Sequence, residues 1–355
     1  MGVEGKMEEN KPLAPFTTFG IGGPARWFVE ARSEEEVAKA TGWARERGLP
    51  LFVLGGGSNL LVADRGFDGL VLKIGLLGIG AAHAPDGSGQ VIYQAGAGED
   101  WDAFVERTVQ DGCAGVECLA GIPGTVGGTP VQNVGAYGQE VSSVISQVRM
   151  LDLTDIAFVA FSAAECEFSY RRSRFNSVDR GRYIVTRVNY RLTPGGAATV
   201  VYPDLQRAIE RELKGNAPTL VEVAAAVRRV RRSKGMLLVE GDPDCRSAGS
   251  FFKNPVVDAD SVRRIAEVSG KEPPTFPAES AGRVKVPAAW LIEQAGFTKG
   301  FAIGAAGISS RHTLALVNRG AATAAEILSL AGRITEAVWE RFGIVLEREP
   351  VLLGF

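Results

Sequence analysis

The chain has 355 residues, of which 45% are hydrophobic and 23% charged, and its formal net charge is −2. These values are typical of a globular protein of two or three domains, and they argue against a binder of nucleic acid or anionic membrane that relies on electrostatics. No apolar run approaches the roughly 20 residues of a membrane span, and the polar N-terminus lacks a signal-peptide core, so we expect a cytoplasmic protein. Four cysteines without a C-x-x-C pair and only two histidines indicate that there is no metal site.

A tail of residues 1–15 is expected to be mobile, and helices and short strands alternate after it. Ser33 and Glu36 form a capping-box pattern at the start of the first helix, which ends at Gly48. Short apolar runs predict strands over 25–31, 51–54, 71–74, 91–95, 144–153, 157–161, 183–192 and 344–355. Helical spacing predicts helices over 100–111, 207–213, 219–234, 287–296 and 322–342. The chain therefore begins as a βα unit and continues with antiparallel strands of an α+β domain.

The most unusual stretch is 118–137, CLAGIPGTVGGTPVQNVGAY, which has five glycines, two prolines and no charge. Repeated Gly and Pro exclude an ordinary helix, while the apolar residues between them favour burial over a flexible linker. Such a stretch allows backbone N–H groups to approach a phosphate or a flat ring. A tight corner between strands is the alternative, and the stretch alone does not decide between the two.

A second glycine loop follows the strand at 51–54 and reads Gly55-Gly56-Gly57-Ser58-Asn59. It matches neither the G-x-G-x-x-G fingerprint nor the P-loop. Its N–H groups, hydroxyl and amide suit a pyrophosphate bound without a metal, and a plain loop after a strand is the equal alternative.

No nucleophile–histidine–acid pattern and no carboxylate pair suited to glycoside hydrolysis is visible, so the reactivity is expected to come from a cofactor. Two glycine loops suit a dinucleotide-like cofactor. The helix at 219–234 has a basic C-terminal end with four arginines: Arg228, Arg229, Arg231 and Arg232. Most of these charges are interpreted as a solvated face that complements the helix dipole.

Five motifs occur in one order and together carry a family resemblance: LGGGSNLLV (54–62), GIPGTVGGTPVQNVGAYG (121–138), YRRSRF (170–175), AGSFFKNP (248–255) and LEREPVLLG (346–354). The chain resembles the UDP-N-acetylenolpyruvoylglucosamine reductases, FAD enzymes of peptidoglycan precursor synthesis, from about residue 16 to the end. The resemblance implies an α+β fold of the vanillyl-alcohol-oxidase type. Its expected parts are FAD subdomain 1 (1–79, completed by 343–355), FAD subdomain 2 (80–218) and a substrate-binding domain (219–342).

The same resemblance implies that NADPH reduces a non-covalently held FAD, which then reduces the enolpyruvyl group of a UDP-sugar, and we expect a monomer. The residues implied to hold FAD lie in the two glycine loops: Gly55, Gly56, Gly57, Ser58, Asn59, Gly121, Gly124, Thr125, Gly128, Asn133, Gly135 and Ala136.

Three catalytic residues are implied by their positions in the family motifs. Ser250 matches the proton donor, and Arg171 matches the arginine that polarises the substrate carboxylate. For the acidic partner, Glu347 and Glu349 lie two apart in the predicted C-terminal strand, so strand alternation does not choose between them. The family register selects Glu349.

Four residues match substrate contacts of the family: Tyr202, Lys234, Asn254 and Gln294. The 31-residue interval between Arg171 and Tyr202 indicates the looped subtype, in which this tyrosine closes over the diphosphate. The family often has a basic residue two positions after the catalytic glutamate, and this chain has Val351 at that position. An oxidase of the same flavin superfamily and an inactive nucleotide-binding module are the alternative functions.

Overall fold

The computed structural model of the chain describes residues 6–213, 216–278 and 280–355. Residues 1–5 of the predicted tail lie outside the described residues. In the described part the α-helices are α1 (Glu34–Glu46), α2 (Trp101–Gln110), α3 (Thr129–Gln132), α4 (Pro203–Leu213), α5 (Leu220–Ser233), α6 (Ala259–Ser269), α7 (Ala288–Gln294) and α8 (Ala324–Phe342).

The strands are distributed along the whole described part of the chain, and most of them are short. They are β1 (Glu8–Pro12), β2 (Pro24–Ala31), β3 (Leu51–Leu54), β4 (Leu60–Val62), β5 (Phe67–Ile74), β6 (Ile79–His83), β7 (Val91–Gly96), β8 (Cys113–Ala114), β9 (Gly135–Ala136), β10 (Gln139–Glu140), β11 (Ile145–Asp152), β12 (Ala157–Ser162), β13 (Tyr183–Pro194), β14 (Val256–Asp258), β15 (Phe276–Pro277), β16 (Arg283–Lys285), β17 (Ala302–Ile303), β18 (Ala306–Ile308), β19 (Leu316–Asn318) and β20 (Val351–Leu353).

The chain divides into two compact units, each built from several segments. Unit 1 is formed by the described residues of Met1–Lys11, Ala25–Gly57 and Asp68–Arg232. Unit 2 is formed by those of Pro12–Pro24, Ser58–Phe67 and Ser233–Phe355. The division into three domains with limits at 79, 218 and 342 stays a prediction.

Unit 1 contains two main sheets. The first has the strand order β1-β2-β5-β3, with β3 and β5 parallel. The second has the order β12-β11-β13-β7-β6, with β8 also paired to β13, and its neighbouring strands run antiparallel. The predicted antiparallel arrangement of the strands within 144–192 is therefore confirmed.

Helix α2 supplies part of the core of unit 1 and positions the glycine-rich stretch. Asp100 caps its first turn, and its buried face includes Trp101 and Phe104, as the helical spacing predicts. Phe104 packs against Tyr190 of β13, with ring centroids 4.8 Å apart. The indole N–H of Trp101 donates to the carbonyl of Leu119 at 3.2 Å, so the start of the stretch is attached to a buried helix.

Unit 2 contains two three-stranded sheets, β14-β16-β15 and β17-β18-β19, and the parallel pair β4–β20. Helix α8 begins with a capping box between Thr323 and Glu326 and ends at Gly343, whose φ is +66°. The apolar spacing within 322–342 predicts a core face of five residues, and this prediction is confirmed, because every member is at most 2% exposed: Ile327, Leu330, Ala331, Ile334 and Val338.

Three predictions about local structure are wrong or incomplete. Residues 8–12 belong to a sheet and not to a mobile tail. At the C-terminus only Val351–Leu353 is a strand, so the strand predicted over 344–355 is too long. At α1 the Ser33 side chain accepts from the Glu36 N–H as predicted, but the Glu36 carboxylate accepts from the N–H of Arg32, and the capping box is not closed.

Within the described residues, no helix is both long enough and apolar enough to cross a membrane.

Candidate functional site

Gly55 and Gly56 of the first glycine loop meet the second glycine-rich stretch within unit 1. A Cβ atom added at Gly56 would lie 2.6 Å from the Cα of Gly124, and one added at Gly55 would lie 2.8 Å from the Oγ1 of Thr125. Cβ contacts below 3.0 Å essentially do not occur in proteins, so this approach requires glycine at position 56. The result is a surface lined mainly by backbone, which fits a cofactor held by main-chain groups.

Gly121 is attached to side chains of α2 and α5. Its N–H donates to Oδ1 of Asp102 at 2.6 Å, and its carbonyl accepts from Nε of Arg231 at 2.9 Å. Asp102 also accepts from Arg228 at 2.7 Å. The N–H of Gly128 likewise donates to the carbonyl of Thr125. Gly121 and Gly128 can therefore serve a cofactor by allowing close approach rather than by donating N–H groups.

Arg231 is the functional candidate that the sequence interpretation missed. The solvated-face interpretation is wrong for this residue, because it is only 7% exposed. Burial lowers the pKa of its guanidinium, and the charge of Arg171 adds to that effect. The spacing from Leu220 through Val227 to Arg231 places it on the apolar face of α5, and this signal was available in the sequence.

Asn133 holds the end of the glycine-rich stretch together. It is fully buried, with a left-handed φ of +43°. Its Nδ2 donates to Glu140 at 2.9 Å and to the carbonyl of Ser169 at 3.0 Å, while its Oδ1 accepts from the N–H of Ser142. The side chain is thus engaged inside the protein. Its role toward FAD stays a prediction, as do those of its neighbours in β9.

Arg171 lies beside the same stretch. Its Nη1 donates to the carbonyl of Gly135 at 3.0 Å, and its own carbonyl accepts from Asn176. Its φ of +55° is uncommon for a residue with a side chain, and the paired backbone of Ser169 and Arg172 holds this turn. The structure therefore brings one predicted catalytic residue to the predicted cofactor residues.

Tyr202 is also close to the glycine-rich stretch. Its ring packs edge-to-face on Tyr137, with centroids 5.6 Å apart. The residue is 38% exposed, so part of its surface is accessible to solvent.

In unit 2 the backbone of the predicted acid, Glu349, is hydrogen-bonded to the residue that follows the predicted proton donor, Ser250. The N–H of Glu349 donates to the carbonyl of Phe251, which follows Ser250, at 2.9 Å. Strand alternation did not choose between Glu347 and Glu349, but the surroundings of their side chains differ in the structure. The Glu347 side chain is 73% exposed and accepts from Lys253, whereas Glu349 is half-buried. A half-buried carboxyl is the better candidate for an acid that must keep its proton.

The end of the first glycine loop reaches the Glu349 segment. Nδ2 of Asn59 donates to the carbonyl of Glu349 at 3.2 Å, and the carbonyl of Asn59 accepts from the N–H of Val351 at 2.9 Å. Asn59 therefore positions the backbone of Glu349, the predicted acid. The predicted role of Asn59 in binding FAD is separate from these hydrogen bonds. The preceding Ser58 is half-buried.

The other predicted substrate residues of unit 2 are not gathered at one point. Oδ1 of Asn254 accepts from the N–H of Ala288 at the start of α7, whereas Gln294 ends that helix. Six residues of rise separate these ends by about 9 Å. Lys234 is half-buried and directly follows α5.

The loop that leads to Ser250 is held by a charged cluster. Arg311 forms ion pairs with Asp242 and Asp244, and the Asp244 carboxylate also accepts from the N–H and hydroxyl of Ser310 at 2.9 and 2.6 Å. Burial alone would raise the pKa of Asp244, but the hydrogen bonds from Ser310 and Arg311 outweigh it and lower that pKa below the ordinary 3.8. The cluster lies beside Gly235, the neighbour of Lys234.

Comparison with known families now defines the class of the protein. Residues 25–156 match the FAD binding domain, which with the α+β fold makes the protein an FAD-binding oxidoreductase. Residues 242–353 match the C-terminal domain of UDP-N-acetylenolpyruvoylglucosamine reductase. The chain belongs to the UDP-N-acetylenolpyruvoylglucosamine reductase family, which confirms the resemblance carried by the five motifs.

Individual relatives cover nearly the whole chain. The chain is 46% identical to the UDP-N-acetylenolpyruvoylglucosamine reductase of Thermobifida fusca (strain YX), with 97% of both chains covered. It is 40% identical to the reductase of that name from Pseudomonas aeruginosa, over 98% of this chain and 99% of the relative. The crystal structure of the reductase from Thermus caldophilus superimposes with a TM-score of 0.64 at 29% identity, over 98% and 99% of the two chains.

Gly56→Ala is expected to weaken FAD binding, because the new Cβ would collide with the backbone of Gly124. Overpacking of this kind costs about 1–3 kcal/mol. The measurement is the visible flavin absorbance per protein after dialysis. Gly42→Ala is the matched control, since a Cβ there, in α1, would meet nothing within 4 Å. Equal flavin content in both variants would contradict the assignment of this contact to the cofactor site.

Asp244→Asn is expected to lower the free energy of unfolding at neutral pH, and the difference from wild type should shrink at acid pH. Because the native pKa is lowered, the stabilisation is complete above the unfolded value near 3.8 and is lost as the pH falls through the native value. Urea denaturation between pH 7 and pH 3 measures this, with the exposed Glu340→Gln in α8 as control. A difference that stays constant with pH would show that the charge of Asp244 is not what stabilises the cluster.

Proposed function

We propose that the protein reduces UDP-N-acetylglucosamine enolpyruvate to UDP-N-acetylmuramate with NADPH and FAD, a step of peptidoglycan precursor synthesis. The observation that carries the proposal is the similarity to reductases of this family over 97% of the chain. The five motifs and the contacts among their residues support the same function.

The glycine loops are proposed to hold FAD without a covalent bond. The Gly56–Gly124 approach and the hydrogen bonds that hold Gly121 support this assignment. When bound, FAD accepts hydride from NADPH and supplies it to the terminal carbon of the enol ether. Side chains of this protein bind the substrate, stabilise the developing negative charge and supply the proton.

Arg171 is proposed to bind the substrate carboxylate, because a guanidinium matches a carboxylate with two parallel hydrogen bonds. The carbon next to this carboxylate gains negative charge as hydride arrives at its neighbour. Ser250 donates its hydroxyl proton to that carbon. A carboxylic acid at Glu349 donates a hydrogen bond that stabilises the enolate, which requires a pKa raised by burial.

Tyr202 and Lys234 are proposed to bind the diphosphate of the UDP-sugar, and Asn254 and Gln294 to contact the substrate. The position of Tyr202 on Tyr137 supports the looped subtype. We also infer that the protein is a cytoplasmic monomer that binds neither nucleic acid nor membrane, and the net charge of −2 supports the exclusion of nucleic acid.

The proposal is tested by following NADPH oxidation by the FAD-loaded protein with and without UDP-N-acetylglucosamine enolpyruvate, with mass spectrometry of the product. We expect oxidation to depend on the sugar nucleotide and to yield one UDP-N-acetylmuramate per NADPH. Equal rates with and without the sugar nucleotide would reject the function. Oxygen consumption under the same conditions would point to an oxidase.

Ser250→Ala should leave the rate of flavin reduction by NADPH unchanged. The reoxidation of reduced flavin by the sugar nucleotide should slow by about 10²–10⁴-fold, the usual contribution of a general acid. Stopped-flow absorbance separates the two half-reactions. If both slow together, Ser250 supports the structure and does not donate the proton.

Glu349→Gln should likewise slow only the reoxidation, because an amide N–H is a much weaker acid than a carboxylic O–H and therefore a weaker hydrogen-bond donor to the enolate. Glu347→Gln is the matched control in the same segment, since its exposed side chain contacts Lys253. Comparable losses in the two variants would show that the assignment to Glu349 is wrong.

A further inference from the structure

Glu117 is a buried carboxylate with no part in the proposed chemistry. It directly precedes the glycine-rich stretch and is 0% exposed. Charged residues are almost never fully buried unless they are paired or hydrogen-bonded, so its partners are informative.

Three N–H donors converge on the Glu117 carboxylate. Oε2 accepts from the N–H of Gly115 at 2.8 Å. Oε1 accepts from Nε2 of Gln139 at 2.8 Å and from the N–H of Thr199 at 2.9 Å. Gln139 follows the glycine-rich stretch, and Thr199 lies three residues before Tyr202. One carboxylate thus joins three separate segments of unit 1.

Cys118 completes the attachment of Thr199. Its thiol donates to the carbonyl of Thr199 at 3.0 Å, and its N–H donates to Oε1 of Gln139 at 2.8 Å. Both backbone groups of Thr199 are therefore bound by consecutive residues, 117 and 118. Burial, with the charge of Glu117 as a smaller contribution, raises the pKa of Cys118 to about 12, so the thiol keeps its proton at neutral pH.

The other end of the Tyr202 segment, residues 196–202, lies on the turn at Tyr137 and Gly138. A Cβ added at Gly138 would lie 2.2 Å from Cγ2 of Val201, and the φ of Gly138 is +88°. The ring of the neighbouring Tyr137 packs edge-to-face against the ring of Tyr202. The segment is thus attached at both ends to residues that border or belong to the glycine-rich stretch.

We propose that Glu117 is a positioning residue that fastens the Tyr202 segment to the glycine-rich stretch and so places Tyr202 for the UDP-sugar. The substrate part of this inference rests on the proposed function. Glu117 acts through Thr199 and Gln139. A carboxylate is required because three donors face its two oxygens, whereas an amide would direct its own NH2 group at one of them.

The test is Glu117→Gln in the full-length, FAD-loaded protein. Hydrogen exchange of peptides covering residues 196–202 should become at least about tenfold faster. The KM for UDP-N-acetylglucosamine enolpyruvate should rise about ten- to a hundredfold, which corresponds to the loss of a charged hydrogen bond. Flavin reduction by NADPH and kcat at saturating substrate should change little.

Two further variants serve as controls for this substitution. Glu106→Gln makes the same chemical change at an exposed site of α2 and should alter neither quantity. In Glu117→Gln/Gln139→Glu the side-chain pair is restored with its donor and acceptor exchanged, but the new NH2 group takes the place of Oε1 and faces the N–H of Thr199, so exchange at 196–202 should stay fast. Slow exchange in this double variant would show that the hydrogen bond to Thr199 does not fasten the segment. If Glu117→Gln does not fold, Thr199→Pro removes the same hydrogen bond from the other partner and should give the same faster exchange.

Unchanged exchange at 196–202 in Glu117→Gln would overturn the proposal. Slower flavin reduction by NADPH, or loss of FAD, would also overturn it, because Glu117 would then act on the cofactor stretch. Faster exchange with an unchanged KM would reject the substrate part. If the wild type does not turn over the sugar nucleotide, the proposed function fails, while the exchange data still decide whether Glu117 fastens the segment.

Discussion

The contact between Gly56 and Gly124 is the constraint on which the candidate site depends. The distance of 2.6 Å from a would-be Cβ to the Cα of Gly124 leaves no room for any side chain at position 56. Two loops separated by almost seventy residues therefore face each other through their backbones. Main-chain groups are the donors and acceptors that such a surface can offer, which matches the pyrophosphate and ring of a dinucleotide.

The glycine-rich stretch has few large side chains of its own to pack, so hydrogen bonds from residues of other segments determine where its backbone lies. Asp102 and Arg231 hold the N–H and the carbonyl of Gly121, and Trp101 holds the carbonyl of Leu119. Asn133, which is fully buried, does the same near the end of the stretch. Buried polar groups stabilise only when their hydrogen bonds are satisfied, and here they also determine where the backbone lies.

Sequence patterns predicted the elements whose signals are local. Ser33 caps α1 as predicted, and the apolar spacing of α8 identified its buried face. The strand at 8–12 was missed because a polar strand paired within a sheet has no apolar alternation to reveal it. Charge alone misled the interpretation of Arg231, although its helical position matched the apolar face.

The choice between Glu347 and Glu349 shows why part of the site could not be read from the sequence. Period-two alternation applies only inside a regular strand, and residues 344–350 are not one. Backbone hydrogen bonds to Lys253 and Phe251 instead assign each glutamate its own place. One carboxylate lies in solvent beside a lysine, and the other is half-buried next to Asn59 and the Ser250 segment. The different surroundings of the two glutamates therefore follow from long-range pairing of the backbone and not from the two side chains themselves.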